Sequence, residues 1–162
     1  ITLTSLEMTR FVMSLQEAAS LVVNSGSLMK GGEIYITKMP VIKILNLALA
    51  MLKYFKGLEV PDAMQWVEII GTKPGEKLYE ELMTEEERPR ACEVADYYIV
   101  LPYNKIFIDK NSPSDELTSR VEKVYNSHNQ EPLDVHETLN LLVSYNLLEN
   151  IETENEYRIW PR

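Results

Sequence analysis

The residues best suited to chemistry lie in one run, Gly71-Thr72-Lys73-Pro74-Gly75-Glu76-Lys77-Leu78-Tyr79-Glu80-Glu81-Leu82. Two glycines flank Lys-Pro, which lets the backbone bend sharply, and the apolar stretch Trp66-Val67-Glu68-Ile69-Ile70 precedes it. The pattern reads as strand, turn, helix, with the helix starting near Glu76 and running through Leu82. A helix start offers unpaired amides and a dipole to an anion, and Lys73 and Lys77 add charge of the matching sign. Two chemistries suit this corner: a phosphate site, or an ordinary turn with solvated lysines. It is not a Walker loop, because no G-x-x-x-x-G-K-[S/T] is present. Arg10, alone among the apolar residues of Met8-Thr9-Arg10-Phe11-Val12-Met13, has two readings as well. It is a rim arginine paired with a carboxylate, or a pocket arginine whose planar fork grips phosphate.

Other reactive groups point nowhere specific. Cys92 is the one cysteine, so no internal disulfide forms and a reducing, cytoplasmic setting is expected. It lies in a charged stretch read as helical, without an activating neighbour. His128 and His136 lack the companion spacing of a metal site, so no metal is expected.

The elements that must position these groups follow from patterning. Ile1 to Thr4 and Met8 to Met13 read as extended. Ser14 and Glu17 form a capping box for a helix with Leu15, Ala18, Ala19, Val22 and Val23 on one apolar face, leaving at Gly26 and turning at Gly31-Gly32. Glu33 to Thr37 is a strand. Pro40 starts a helix striped by Ile42, Leu45, Leu49 and Leu52 and ended by Gly57. Thr84 and Glu87 box an acidic turn, Asp96 to Leu101 is a strand, Lys105 to Ile108 a short partner, and Ser112 to about Val124 a helix. Tyr125-Asn126-Ser127-His128-Asn129 is a polar loop. Asp134 and Glu137 box a last helix with Leu139, Leu142, Val143 and Leu147 facing inward. Interleaved strands and helices indicate an α/β fold.

A chain of 162 residues, 45% hydrophobic, suffices for one domain, read as residues 1–151 with an acidic tail over 152–162. A net charge of −9 argues against nucleic acid and anionic membrane as partners. The longest apolar run, Ile42 to Phe55, is interrupted by Lys43, Asn46 and Lys53 and is too short to span a bilayer. The first residue is Ile1, which suggests a fragment or processed product of something longer. Neither G-x-G-x-x-G after a strand nor Tyr-x-x-x-Lys occurs, so the Rossmann nucleotide-binding motif and a tyrosine base are missing.

Four segments in order carry a resemblance: Met8-Thr9-Arg10-Phe11 before a capped helix, Gly31 to Ile36 with Lys38-Met39-Pro40, Ile69 to Leu82, and Asp96-Tyr97-Tyr98. Together they resemble the C-terminal part of capsular-polysaccharide nucleotide-sugar dehydratases, extended short-chain dehydrogenases of the UDP-N-acetylglucosamine 4,6-dehydratase type. Tyr125 to Asn129 and Leu133-Asp134-Val135 resemble the tail of the subgroup that also epimerises C5. The resemblance implies a C-terminal lobe with a small mixed sheet and packed helices, which holds the UDP-sugar and contributes to homo-oligomer contacts. It implies that an N-terminal Rossmann lobe, in the same or a separate chain, carries NADP or NAD and the catalytic groups. The reaction would oxidise C4 by hydride transfer, eliminate water across C5 and C6 and return the hydride at C6. No catalytic residue, cofactor or metal is expected in this chain. Substrate-side roles carry over to Arg10, Lys73, Glu76 and Lys77: Lys73 stands where many members have arginine, Glu76 suits a ribose or sugar hydroxyl, and Lys77 is equally suited to an ion pair with Glu80 or Glu81. The alternative is a degenerate lobe retained as an interaction or assembly module without nucleotide binding.

Overall fold

The computed structural model describes residues 1–103 and 121–148. Along the chain run β1 (Thr2–Leu3), β2 (Thr9–Phe11), α1 (Leu15–Leu28), β3 (Ile34–Thr37), β4 (Val41–Lys43) and α2 (Ile44–Lys56). Then come α3 (Val60–Ala63), β5 (Glu68–Ile69), β6 (Ala91–Val94), β7 (Tyr97–Val100) and α4 (Val135–Ser144). The strands form three small sheets: β1 parallel to β5, β2 antiparallel to β4, and an antiparallel sheet in the order β3-β7-β6. This is a mixed α/β fold with packed helices, in agreement with the expected lobe.

Two apolar cores divide the molecule. Ile36, Met83, Ala91, Val100, Val121 and Tyr125 pack together beneath the three-stranded sheet, with Phe11 and Tyr98 against them. Leu49 and Leu52 of α2 meet Ala63 of α3, joined by Leu45, Leu58, Val67 and by Val135 of α4. Gly57 closes α2 at φ 64°, its amide 2.9 Å from the Lys53 carbonyl, a left-handed cap that glycine adopts without strain.

Local capping was read correctly, and several element types were not. Both helix boxes form, Ser14 with Glu17 and Asp134 with Glu137, and the Thr84–Glu87 pair closes reciprocally in its turn. The helix expected from Pro40 starts at Ile44 instead, because Val41–Lys43 is drawn into pairing with β2, Arg10 lying opposite Ile42. Of Trp66 to Ile70 only Glu68–Ile69 is strand, since Trp66 belongs to a 3-10 turn, Met64–Trp66. Cys92 is not helical: it is buried in β6, opposite Ile99 of β7. Gly26 lies within α1, which ends at Leu28 with Met29 as its cap, and the turn that follows uses Gly31 and Gly32 at φ 121° and 86°. The apolar face of α1 is not buried among the described residues, Leu15, Val22 and Val23 being 83, 71 and 67% exposed. In α4, Thr138 is buried and Leu139 and Leu142 are half-buried, whereas Val143 and Leu147 are exposed. Val121 to Val124 are not helical; the rest of the helix expected from Ser112, the strand expected at Lys105 to Ile108, and the tail from Glu152 lie outside the described residues.

Candidate functional site

The loop begins as a clamped turn. Gly71 and Gly75 both take left-handed backbone, φ 84° and 82°, where a side chain would be strained, so the glycine pair is required by the bend itself. The Glu76 amide donates to the Lys73 carbonyl at 3.1 Å, and the Lys73 amide donates back to Glu76 Oε2 at 3.0 Å. Glu76 Oε1 accepts from Thr4 Oγ1 at 2.8 Å, which ties the turn to the end of β1. The Lys73 amide first, and the Thr4 hydroxyl after it, hold the Glu76 carboxyl below the usual carboxylate range.

No helix follows. The expected helix from Glu76 to Leu82 is replaced by irregular chain with an isolated bridge from Glu81 to Asn126, because its backbone groups are claimed from both sides. The Thr9 amide of β2 donates to the Leu78 carbonyl at 2.9 Å. From the other flank, the Leu82 and Met83 amides donate to the Tyr125 carbonyl, and the Ser127 amide donates to the Glu80 carbonyl. The gathered amides of a helix start are therefore not available to an anion here, and any anion must be met by side chains.

Arg10 resolves largely in favour of pairing. Its Nη1 and Nη2 donate to the Thr9 and Lys77 carbonyls, each at 2.7 Å, and its Nε lies 3.4 Å from Glu80 Oε1. Glu80 is thus engaged by Arg10, and Lys77 forms neither of its expected ion pairs with Glu80 or Glu81. Among the described residues the ammonium groups of Lys73 and Lys77 make no salt bridge or hydrogen bond. The structure therefore brings Arg10 together with the Lys77 backbone and Glu80, and leaves two exposed cations on the same loop of an acidic protein. This arrangement can receive a phosphate, with Glu76 bracing the turn while both its oxygens keep a second lone pair free for a hydroxyl donor.

Thr4, Thr9 and Ser127 were not singled out in the sequence. The Tyr125-to-Asn129 run was visible as polar, and its partners prove to be protein. The Tyr125 hydroxyl accepts from the Met39 amide at 2.7 Å, burial pushing its pKa up. Asn126 Oδ1 accepts from the Asn129 amide, and the His128 ring stands 5.6 Å from that of Tyr79. Burial also raises the Cys92 thiol, which disfavours the thiolate a nucleophile needs. No group of three or more metal-ligating side chains occurs among the described residues. A cavity of about 460 Å³, lined in part by Glu93, Tyr98, Tyr125 and Asn129, contains none of the four predicted residues.

No helix among the described residues is long and apolar enough to cross a membrane. The profile of the polysaccharide biosynthesis protein family matches residues 1–102. An uncharacterized membrane protein of Methanocaldococcus jannaschii is 45% identical over 105 residues, 64% of this chain and 31% of that protein. UDP-glucose 4-epimerase of Rickettsia massiliae is 33% identical over 150 residues, 89% of this chain and 41% of the epimerase. The crystal structure of Pen from Bacillus thuringiensis superposes with a TM-score of 0.70 at 34% identity, covering 91% of this chain and 42% of that one. The chain spans less than half the length of these relatives. With the ordered motifs, the profile match and a fold shared at this identity, the chain belongs to the polysaccharide biosynthesis protein family of extended short-chain dehydrogenases.

Proposed function

We propose that this chain is the UDP-sugar-binding lobe of a nucleotide-sugar 4,6-dehydratase that in one subgroup also epimerises C5, working in surface polysaccharide biosynthesis. The observation that carries the reading is the pair of exposed ammonium groups, Lys73 and Lys77, on a glycine-bent loop, with no salt bridge or hydrogen bond among the described residues. Relatives include UDP-glucose 4-epimerases, whose substrate bears a diphosphate of the chemistry these cations would meet. Lys73 at the turn and Lys77 beyond it would neutralise the diphosphate, Arg10 would hold the Lys77 backbone in place, and Glu76 would accept a ribose or sugar hydroxyl. Hydride transfer and elimination would belong to a Rossmann lobe with NADP or NAD, in a cytoplasmic homo-oligomer; this chain's own part is to bind and orient.

Calorimetry of the full-length protein with UDP tests the loop. Lys73→Ala is expected to weaken UDP about fivefold, as for loss of one partly exposed charge contact worth about 1 kcal/mol. Unchanged affinity would remove the loop from the site. A second reading, a lobe that serves self-assembly without nucleotide, draws on the exposed apolar face of α1. It predicts concentration-dependent light scattering and no heat on adding UDP, and a monomer at every concentration would sink it.

A further inference from the structure

We infer that Ser127 and Thr9 form a positioning couple for the cationic loop, so that UDP affinity depends on two buried hydroxyls that touch no ligand; this rests on the UDP-binding reading above. Ser127 is completely buried and Thr9 nearly so. The two hydroxyl oxygens are 2.9 Å apart. Ser127 Oγ also accepts from the Glu80 amide at 2.9 Å and lies 3.3 Å from the Thr9 carbonyl, to which it donates. With Thr9 Oγ1 donating to Ser127, the serine hydroxyl donates once and accepts twice, the full capacity of the group. Its own amide adds a bond to the Glu80 carbonyl at 2.8 Å.

Three segments far apart in the chain meet at this oxygen. On one side is β2, whose next residue is Arg10. On the other is the loop, in which Arg10 grips the Lys77 carbonyl and faces Glu80. The serine therefore adds a buried bridge between the arginine strand and the lysine loop, beside the direct bonds from the Thr9 amide to the Leu78 carbonyl and from Arg10 to the Lys77 carbonyl. The family profile ends at residue 102, so the bridge is supplied by a segment beyond the matched range and inserted into its middle. Removing the Ser127 hydroxyl takes the partner from the Thr9 hydroxyl and from the Glu80 amide, whereas removing the Thr9 hydroxyl costs Ser127 Oγ one of its two accepted bonds and leaves its bonds to the Glu80 amide and the Thr9 carbonyl in place. The chain must shift to recover bonds, and a shift of about 1 Å is enough to spoil a preorganised charge site.

The test is UDP affinity, measured by calorimetry on the full-length protein well below its melting midpoint, for Ser127→Ala, Thr9→Val, Thr9→Ser and the double variant Thr9→Val with Ser127→Ala. Each hydroxyl deletion is expected to raise the UDP Kd about tenfold, Thr9→Ser to stay within about twofold, and the double variant to be no weaker than Ser127→Ala, since that variant already removes the contact that Thr9→Val removes. Lowered melting temperature with unchanged Kd would make the couple merely structural and overturn the inference. So would a Thr9→Ser variant as weak as Thr9→Val, which would show that any change at this position weakens UDP whether or not the hydroxyl is kept. Should Ser127→Ala fail to fold, the valine and serine variants at Thr9 decide alone. The failures separate by the unaltered protein and Lys73→Ala: if Lys73→Ala weakens UDP and the hydroxyl variants do not, only the couple is wrong; if no variant weakens UDP, the loop leaves the site and the couple with it; and if the unaltered protein gives no heat with UDP, the nucleotide reading itself falls.

Discussion

Helices α1 and α2 are nearly equal in length, 14 and 13 residues, and both are amphipathic, yet their fates differ. Ala48, Leu49, Ala50 and Leu52 of α2 are buried, the two leucines in the core that Val135 of α4 completes. No residue of α1 is buried, although its N-terminal box is fully made. The Ser14 amide first, and the nearby Tyr145 hydroxyl at the end of α4 after it, hold the Glu17 carboxyl of its first turn below the usual carboxylate range. Capping decides that a helix forms, whereas burial requires a facing surface that the helix cannot itself supply.

The widest gap in that comparison should be in core truncation. Leu49→Ala is expected to cost about 2–5 kcal/mol in urea unfolding, because it opens a cavity, while Val22→Ala should cost less than about 0.5 kcal/mol. A comparable loss at Val22 would show that the α1 face is covered in solution and break the contrast. The caps sharpen it next. Asp134→Ala should lower the global midpoint by about 1 kcal/mol, because α4 frays together with the core it packs on; Ser14→Ala should melt α1 locally, lowering helical circular dichroism with little change in that midpoint.

The smallest effects are those of pH. The carboxyls of Glu17, Glu87 and Glu76 sit below the usual range, held first by the amides of Ser14, Thr84 and Lys73 respectively. A depressed folded pKa gives stability that is fully present above the unfolded value and lost as pH falls through the folded one. Midpoints should therefore decline on acidification below the ordinary carboxylate range, and Glu17→Gln should flatten the α1 share of that decline. At the alkaline end Tyr145 is pushed up to about 12, by burial first and by Glu17 second. Its contribution is present below the ordinary tyrosine pKa and fades as pH rises toward about 12, an alkaline loss that Tyr145→Phe should remove.

The legible features were those with local causes. A serine or aspartate three residues before a glutamate makes its box wherever it stands, and a glycine after Lys53 and Lys56 ends α2 as expected. The composition of Glu76 to Leu82 suits a helix equally well, but Thr9, Tyr125 and Ser127 claim its backbone from distant parts of the chain. Cys92 was misread for the same reason, since β6 exists only because β7 lies beside it. At the candidate site, Arg10, Lys73, Glu76 and Lys77 were named from the sequence as candidates. That Arg10 would spend its fork on the Lys77 carbonyl and Glu80, leaving the two lysines uncommitted among the described residues, could not be read there.

The sequence by itself determined the helix caps, the glycine-bent turn, the absence of the dinucleotide and tyrosine-base motifs, and the ordered motifs of the family, all matters of residue type and short spacing. Tertiary structure alone decided that the segment after the turn is irregular and not helical, that among the described residues one amphipathic helix is buried and the other uncovered, and that a serine at 127 is joined to a threonine at 9. Those outcomes depend on which distant groups complete a hydrogen bond or cover an apolar face, and such long-range partners have no signature in local spacing.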